Sequence, residues 1–143
     1  MLTQQEADFL IAMKKAFIKP MTISIPTGTD QTHDLVGENN REIFQLDLWR
    51  GTIRLSKVKF QTRGRSIIVL VRLDINGSPH TNPDGKRLNG THLHLYREGY
   101  EDKFAFPIPP ISFSNVNSIG QSFEDFCRYC NIERHAPFIE ELL

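Results

Sequence analysis

Three of the chain's five histidines fall within residues 78–96, SPHTNPDGKRLNGTHLHLY. His80 precedes a turn-rich loop, and His92 and His94 follow it with one leucine between them. Imidazoles titrate near neutral pH, so one can take a proton while another gives one. If THLHLY is a strand, alternation puts His92, His94 and Tyr96 on one face, about 7 Å apart, and Leu93 and Leu95 on the other. Upstream, RSIIVLVRLDI turns from apolar to charged at Arg72 and Asp74. Antiparallel pairing of these two runs brings Arg72 and Asp74 beside the imidazoles. Alternation sends Arg97 to the opposite face, which leaves Arg72 as the cation of the group.

Such a group suits cleavage of RNA without metal. That reaction needs a base for the 2′-hydroxyl, an acid for the leaving oxygen and a cation for the phosphorane charge. His80, His92 and His94 are the acid–base candidates, with Arg72, Asp74 and Tyr96 completing the site. Two other readings use the same residues. His92-x-His94 with His80 or Asp74 has the donors of a three-ligand zinc or non-haem iron centre. Alternatively, the histidines cap backbone groups around the Asn82–Pro83–Asp84–Gly85 turn and do no chemistry. The acid–base reading requires the rings to converge on one open pocket.

A basic stretch adjoins this block. Between Asp47 and Asp74 there is no acid, but there are seven cations: Arg50, Arg54, Lys57, Lys59, Arg63, Arg65 and Arg72. The whole chain is neutral, with 17 Lys and Arg against 17 Asp and Glu, so the bias is one of distribution. Charge segregated on a hairpin suits a phosphate backbone, and Phe60 and Tyr96 could stack on unpaired bases. The expected RNA contacts are therefore Arg50, Arg54, Lys57, Lys59, Arg63 and Arg65. An acidic protein such as a cognate antitoxin would fit the same surface. Lysines and arginines on a hairpin also discourage edge-to-edge pairing, which is the bland alternative.

The elements that must hold these groups follow from periodicity. Thr3 with Glu6 has the spacing of a capping box, and Leu10, Met13, Phe17 and Ile18 recur near helical spacing, which predicts a helix over 3–18 ended by Pro20. MTISIP reads as a short strand and TGTDQTHDLVGENN as a polar loop. EIFQLDLW, TIRLSKVKFQ and RSIIVLVRLDI read as strands, with turns at Arg50–Gly51 and Arg63–Gly64. THLHLY and KFAFPI are further strands. A helix starts near Ser122 with Phe123, Phe126, Cys127 and Cys130 as its core stripe, and a short helix starts near Pro137. One α+β domain over 1–143 is expected: an antiparallel sheet of five to six strands with an N-terminal helix and C-terminal helices on one face.

Several classes are set aside. No apolar run has the roughly 18 residues of a membrane span, and the N-terminus does not read as a signal peptide, so a cytoplasmic location is expected. Two cysteines make no secreted disulfide framework. Cys127-x-x-Cys130 with His135 is half a zinc pattern, but the cysteines lie on the apolar stripe, so they are assigned to packing and no cofactor is expected. His33 sits in the polar loop and needs no special role. Neither a phosphate loop nor a Gly-x-Ser-x-Gly elbow is present.

The block LVRLDINGSPHTNPDGKRLNGTHLHLY resembles a family of uncharacterised small bacterial and phage proteins known as a domain of unknown function. The shared features are an Arg and Asp ending a strand, Pro-His, Asn-Pro-Asp-Gly and His-x-His, and the likeness spans roughly 44–107. More distantly, the block is similar to TumE-type toxins of toxin–antitoxin modules. In those, a doubled His follows the proline where this chain has His80–Thr81. The resemblance implies Arg72, Asp74, Pro79, His80, His92 and His94 as corresponding positions and a toxin-like nuclease as the activity. A non-enzymatic, phage-encoded binding or inhibitor protein and a His-liganded metal enzyme are the alternatives. The oligomeric state is not legible.

Overall fold

The structure is a computed structural model, and it describes residues 1–19 and 22–133. Helix α1 (Gln4–Ala12) begins where the sequence predicts, with Thr3 and Glu6 forming the reciprocal capping box. It stops earlier than expected. Met13 is already extended, and Lys15–Phe17 is strand β1, paired to its neighbours on both sides. The reason is tertiary. Lys15 is only 1% exposed, and its ammonium donates to the carbonyls of Ile11, Met13 and Cys130 at 2.8–3.0 Å. It thereby satisfies carbonyls that the last turn of a helix leaves unpaired.

The remaining strands are β2 (Asp30–Gly37), β3 (Ile43–Arg50), β4 (Val58–Gly64), β5 (Ile68–Ile75), β6 (His80–Thr81), β7 (Arg87–Leu88), β8 (His92–Leu95), β9 (Ala105–Phe106) and β10 (Ile132–Glu133), with helix α2 (Ile119–Tyr129) before the last. The fold is α+β. Its main sheet has eight strands in the order β10-β1-β2-β3-β4-β5-β8-β9, more than the five to six expected. All its pairings are antiparallel except β1 with β10, and β6 and β7 form a separate ribbon. The supposed polar loop contains β2, whose polar outer end pairs with β3 along its length. MTISIP is not a strand among its described residues, although Ile23 and Ile25 are buried in the core. The β3–β4 connection is a wide loop over 51–57 rather than a tight turn at Arg50–Gly51, and the next turn centres on Arg65 and Ser66, both at positive φ. Helix α2 starts four residues before Ser122 in its capping, at Ser118. The expected helix near Pro137, and His135, lie outside the described residues.

Alternation divides the sheet into two unlike faces. Phe44, Leu46, Leu48, Val58, Phe60, Leu73 and Leu93 point into the core, where Phe60 meets Phe123 and Phe126 of α2 at 5.4 and 6.1 Å between ring centroids. The whole expected stripe, Phe123, Phe126, Cys127 and Cys130, is buried. Burial pushes the Cys130 thiol up to about 12, so it packs as an inert apolar group. The opposite face is polar and runs in cross-strand rows. One row is Asp30–Trp49–Lys59–Asp74–His92, and the next is Thr32–Asp47–Gln61–Arg72–His94. No helix among the described residues is long and apolar enough to cross a membrane.

Candidate functional site

The inferred β5–β8 pairing is present, with Arg72 opposite His94 and Asp74 opposite His92. The segment 76–91 folds back over the end of these strands and carries His80 onto them. Its neck is pinched by Gly77 N–H donating to Gly90 C=O at 2.9 Å. A Cβ at Gly90 would lie 2.0 Å from the Gly77 oxygen, so the crossing requires glycine there. The tip turns at Gly85 with φ +90°, as Asp-Gly predicts. Asn82 then pins the ribbon: its side chain donates to Ala105 C=O and accepts from Ala105 N–H at 2.9 and 2.8 Å.

The result is a cluster of three imidazoles. Ring centroids are 4.7 Å apart for His80–His94, 4.8 Å for His92–His94 and 5.6 Å for His80–His92. The rings converge, but not on an open pocket, and the accessibility that acid–base chemistry requires is left to His80 alone. His92 and His94 are each 1% exposed, and His80 alone is half-buried.

Hydrogen bonds assign the protons. The nitrogen Nδ1 of His92 lies 2.6 Å from Asn89 C=O and its Nε2 lies 3.3 Å from Asp74 Oδ2, so both nitrogens face acceptors. Burial opposes charge on His92, but Asp74 and the Asn89 carbonyl outweigh it and raise its pKa. His94 differs. Its Nδ1 donates to Asp102 C=O at 2.8 Å, and its Nε2 accepts from Arg72 Nη2 at 2.9 Å, which is the neutral tautomer. Arg72 also binds Asp74 Oδ1 through Nε and Asp102 Oδ2 through Nη1, both at 3.0 Å. Burial would raise the Asp74 pKa, yet the hydrogen bond from His92 and the Arg72 guanidinium hold it well below the usual carboxylate range. Two carboxylates, Asp74 and Asp102, therefore share one guanidinium, and Asp74 also faces the His92 ring. His80 Nε2 donates to Lys103 C=O at 2.8 Å, which leaves the lone pair on Nδ1.

Asp74, His92 and His94 also present ligand atoms within 4.8 Å of one another. Both imidazoles are tethered through Nδ1 to backbone carbonyls, which is how metal-bound histidines are oriented. Against this, the Arg72 guanidinium already occupies His94 Nε2 and Asp74 Oδ1, so metal entry requires that arginine to leave.

The other expected residues divide. Tyr96 does not join the cluster: β8 ends at Leu95, and the Tyr96 hydroxyl is buried against the N–H and C=O of Leu2 at 3.1 and 2.7 Å. Arg50 is buried and donates to Ile25 and Leu55 carbonyls at 2.8 and 2.9 Å, which is structural work. Arg63 is paired with Asp47 on the polar face, and Arg65 faces Glu42 and Glu6. Arg54, Lys57 and Lys59 remain together around Trp49 at one end of the sheet, with no ion pair of the described residues taking any of them. Phe60 is core. Sequence reasoning missed Asp102, Asn82 and Trp49. Trp49 had a signal, since it alternates with Asp47 on the polar side of its strand, whereas Asp102 lies in a loop and had none.

The residues that build this geometry lie within a stretch, 2–132, that a family model matches. The chain belongs to DUF6978, a family of unknown function. The DUF6978 match spans the helix, every strand of the histidine site and α2. No curated protein and no solved structure matches this DUF6978 chain.

Proposed function

We propose that this DUF6978 protein acts on RNA as a toxin-like endoribonuclease that needs no metal, with His80 as the group that meets the substrate. The observation carrying this reading is the imidazole cluster at the end of a polar sheet face, in a row with Lys59 and Trp49. The His80 Nδ1 lone pair takes the 2′-hydroxyl proton, and the 2′-oxygen attacks the adjacent phosphorus and expels the 5′-oxygen. The products are a 2′,3′-cyclic phosphate and a 5′-hydroxyl, with the proton that His80 has taken passed on from its imidazolium to the leaving oxygen. Arg72, Asp74, His92 and His94 act from below as positioning groups, because their polar atoms are spent on one another and on backbone carbonyls. The toxin role, with a cognate acidic antitoxin as protein partner, extends the resemblance read in the sequence block and is part of this proposal.

The test is incubation of a labelled single-stranded RNA with the pure protein in EDTA, resolving the products and their ends. The wild type cuts, and His80→Ala loses about 100-fold or more of the rate without a change in melting. No cutting, with retained RNA binding that Arg54→Glu and Lys57→Glu abolish, would make this a non-enzymatic binding or inhibitor protein instead.

A metal enzyme is the second reading, favoured by the closeness of the Asp74, His92 and His94 ligand atoms. Stoichiometric zinc or iron in the protein as purified, and cutting that EDTA stops, would replace the first reading with it.

A further inference from the structure

We infer that Trp49 is the floor of a nucleobase-stacking subsite beside the histidine cluster, so that the RNA taken is single-stranded and held by its bases as well as its phosphates. This rests on the RNA reading above and names how that substrate is gripped. Trp49 is half-buried on the polar face, two strands from Asp74, which is roughly 10 Å at ordinary strand spacing. Lys57 and Lys59 place their ammonium groups 5.6 and 5.9 Å from the indole centroid. A hollow of about 350 Å³ adjoins Trp49, lined also by Ile53, Arg54, Lys57, Asn76 and Ser78 among others. That is the lower end of the range for small-ligand sites.

Four features of the hollow favour a base over a bare anion or a peptide. An indole offers a flat apolar face to any base, and stacking of this kind tolerates sequence. The two lysines lie over that face, from which a stacking base would shift their ammonium groups onto the adjoining phosphates, Arg54 stands beside them, and no carboxylate lines the hollow. Asp30, the cross-strand neighbour of Trp49, lies on the far side from the histidines. Ile53 is 98% exposed on the rim, an apolar group positioned to cover a base lying on the indole. A duplex hides its base faces and cannot use the subsite.

The chain contains a single tryptophan, so its emission reports on this subsite alone. The probes are uridine and adenine RNA octamers, a duplex RNA of equal length, and inorganic polyphosphate at equal phosphate concentration. Both single strands should quench the emission, and the duplex and polyphosphate should not. Trp49→Ala should weaken anisotropy-measured binding of the labelled octamers about tenfold or more. Because that variant could disturb the strand, Arg54→Glu with Lys57→Glu in the exposed loop is the second arm, and it should remove the quenching at unchanged melting temperature.

Equal quenching by polyphosphate, or octamer binding with no quenching, would overturn the stacking subsite. Cutting by Trp49→Ala with unaltered KM would overturn it while leaving the ribonuclease standing. Absence of any RNA binding would bring down both.

Discussion

Asp74 holds the polar cluster together, and its ionisation sets a pH window for stability. Its pKa is lowered from 3.8 by its cationic neighbours, so its contribution is complete above about pH 4 and lost as pH falls through the folded value. His92 runs the other way: raised from 6.5, it contributes fully below that pH and loses its contribution as pH rises past its folded value. The pair is therefore most stabilising between about pH 4 and 6.5. Melting temperature measured across pH should show this maximum in the wild type and lose it in Asp74→Asn. The substitution also takes the carboxylate away from the buried His92 ring, while Arg72 keeps Asp102, at a cost of about 3–5 kcal/mol. The same burial makes the His92→Ala, His94→Ala double variant a poor probe of catalysis, since it removes two packed, hydrogen-bonded rings. His80, half-exposed and covering them, is the cleaner position.

At the scale of elements, Lys15 is the residue on which two helix ends meet. Its ammonium fills a niche where burial brings its pKa down to about 8 while three carbonyls accept from it. Lys15→Met should fill the volume but leave those carbonyls unbonded, lowering stability by about 1–3 kcal/mol in urea unfolding. This position also shows why part of the fold was hidden in the sequence. Leu10, Met13 and Phe17 keep a helical rhythm, yet Phe17 belongs to a strand because Lys15 is needed beneath both helices. Residues 30–37 read as a loop because only Leu35 and Val36 of that strand are strongly apolar; their pairing with β3 comes from the partner, not from local propensity. By contrast, β3, β5 and β8 were legible from alternation, and with them the Arg72–Asp74–His92–His94 juxtaposition. What alternation could not provide was depth: that His92 and His94 lie under a ribbon, tied by Asn82 to Ala105, depends on contacts between distant segments.

Taken whole, the molecule has zero formal charge, so long-range attraction for a polyanion is weak and the local cations must do the work. With Arg54, Lys57 and Lys59 as the phosphate contacts, the slope of log affinity against log salt for a single strand should be about −2. A salt titration of octamer binding measures it, and a much steeper slope would mean that Arg63 or Arg65 also leave their carboxylates to join. The clasp between Leu2 and Tyr96 has its own bearing on how the chain comes into being. Its two halves are 94 residues apart, so at about 5–20 residues per second Tyr96 is made roughly 5–19 s after Leu2. During that interval Leu2 and the nascent first helix lack the Tyr96 anchor that fastens their start to the sheet. Ribosome-bound chains arrested before Tyr96 should accordingly be held by general chaperones, and those arrested well beyond it should not.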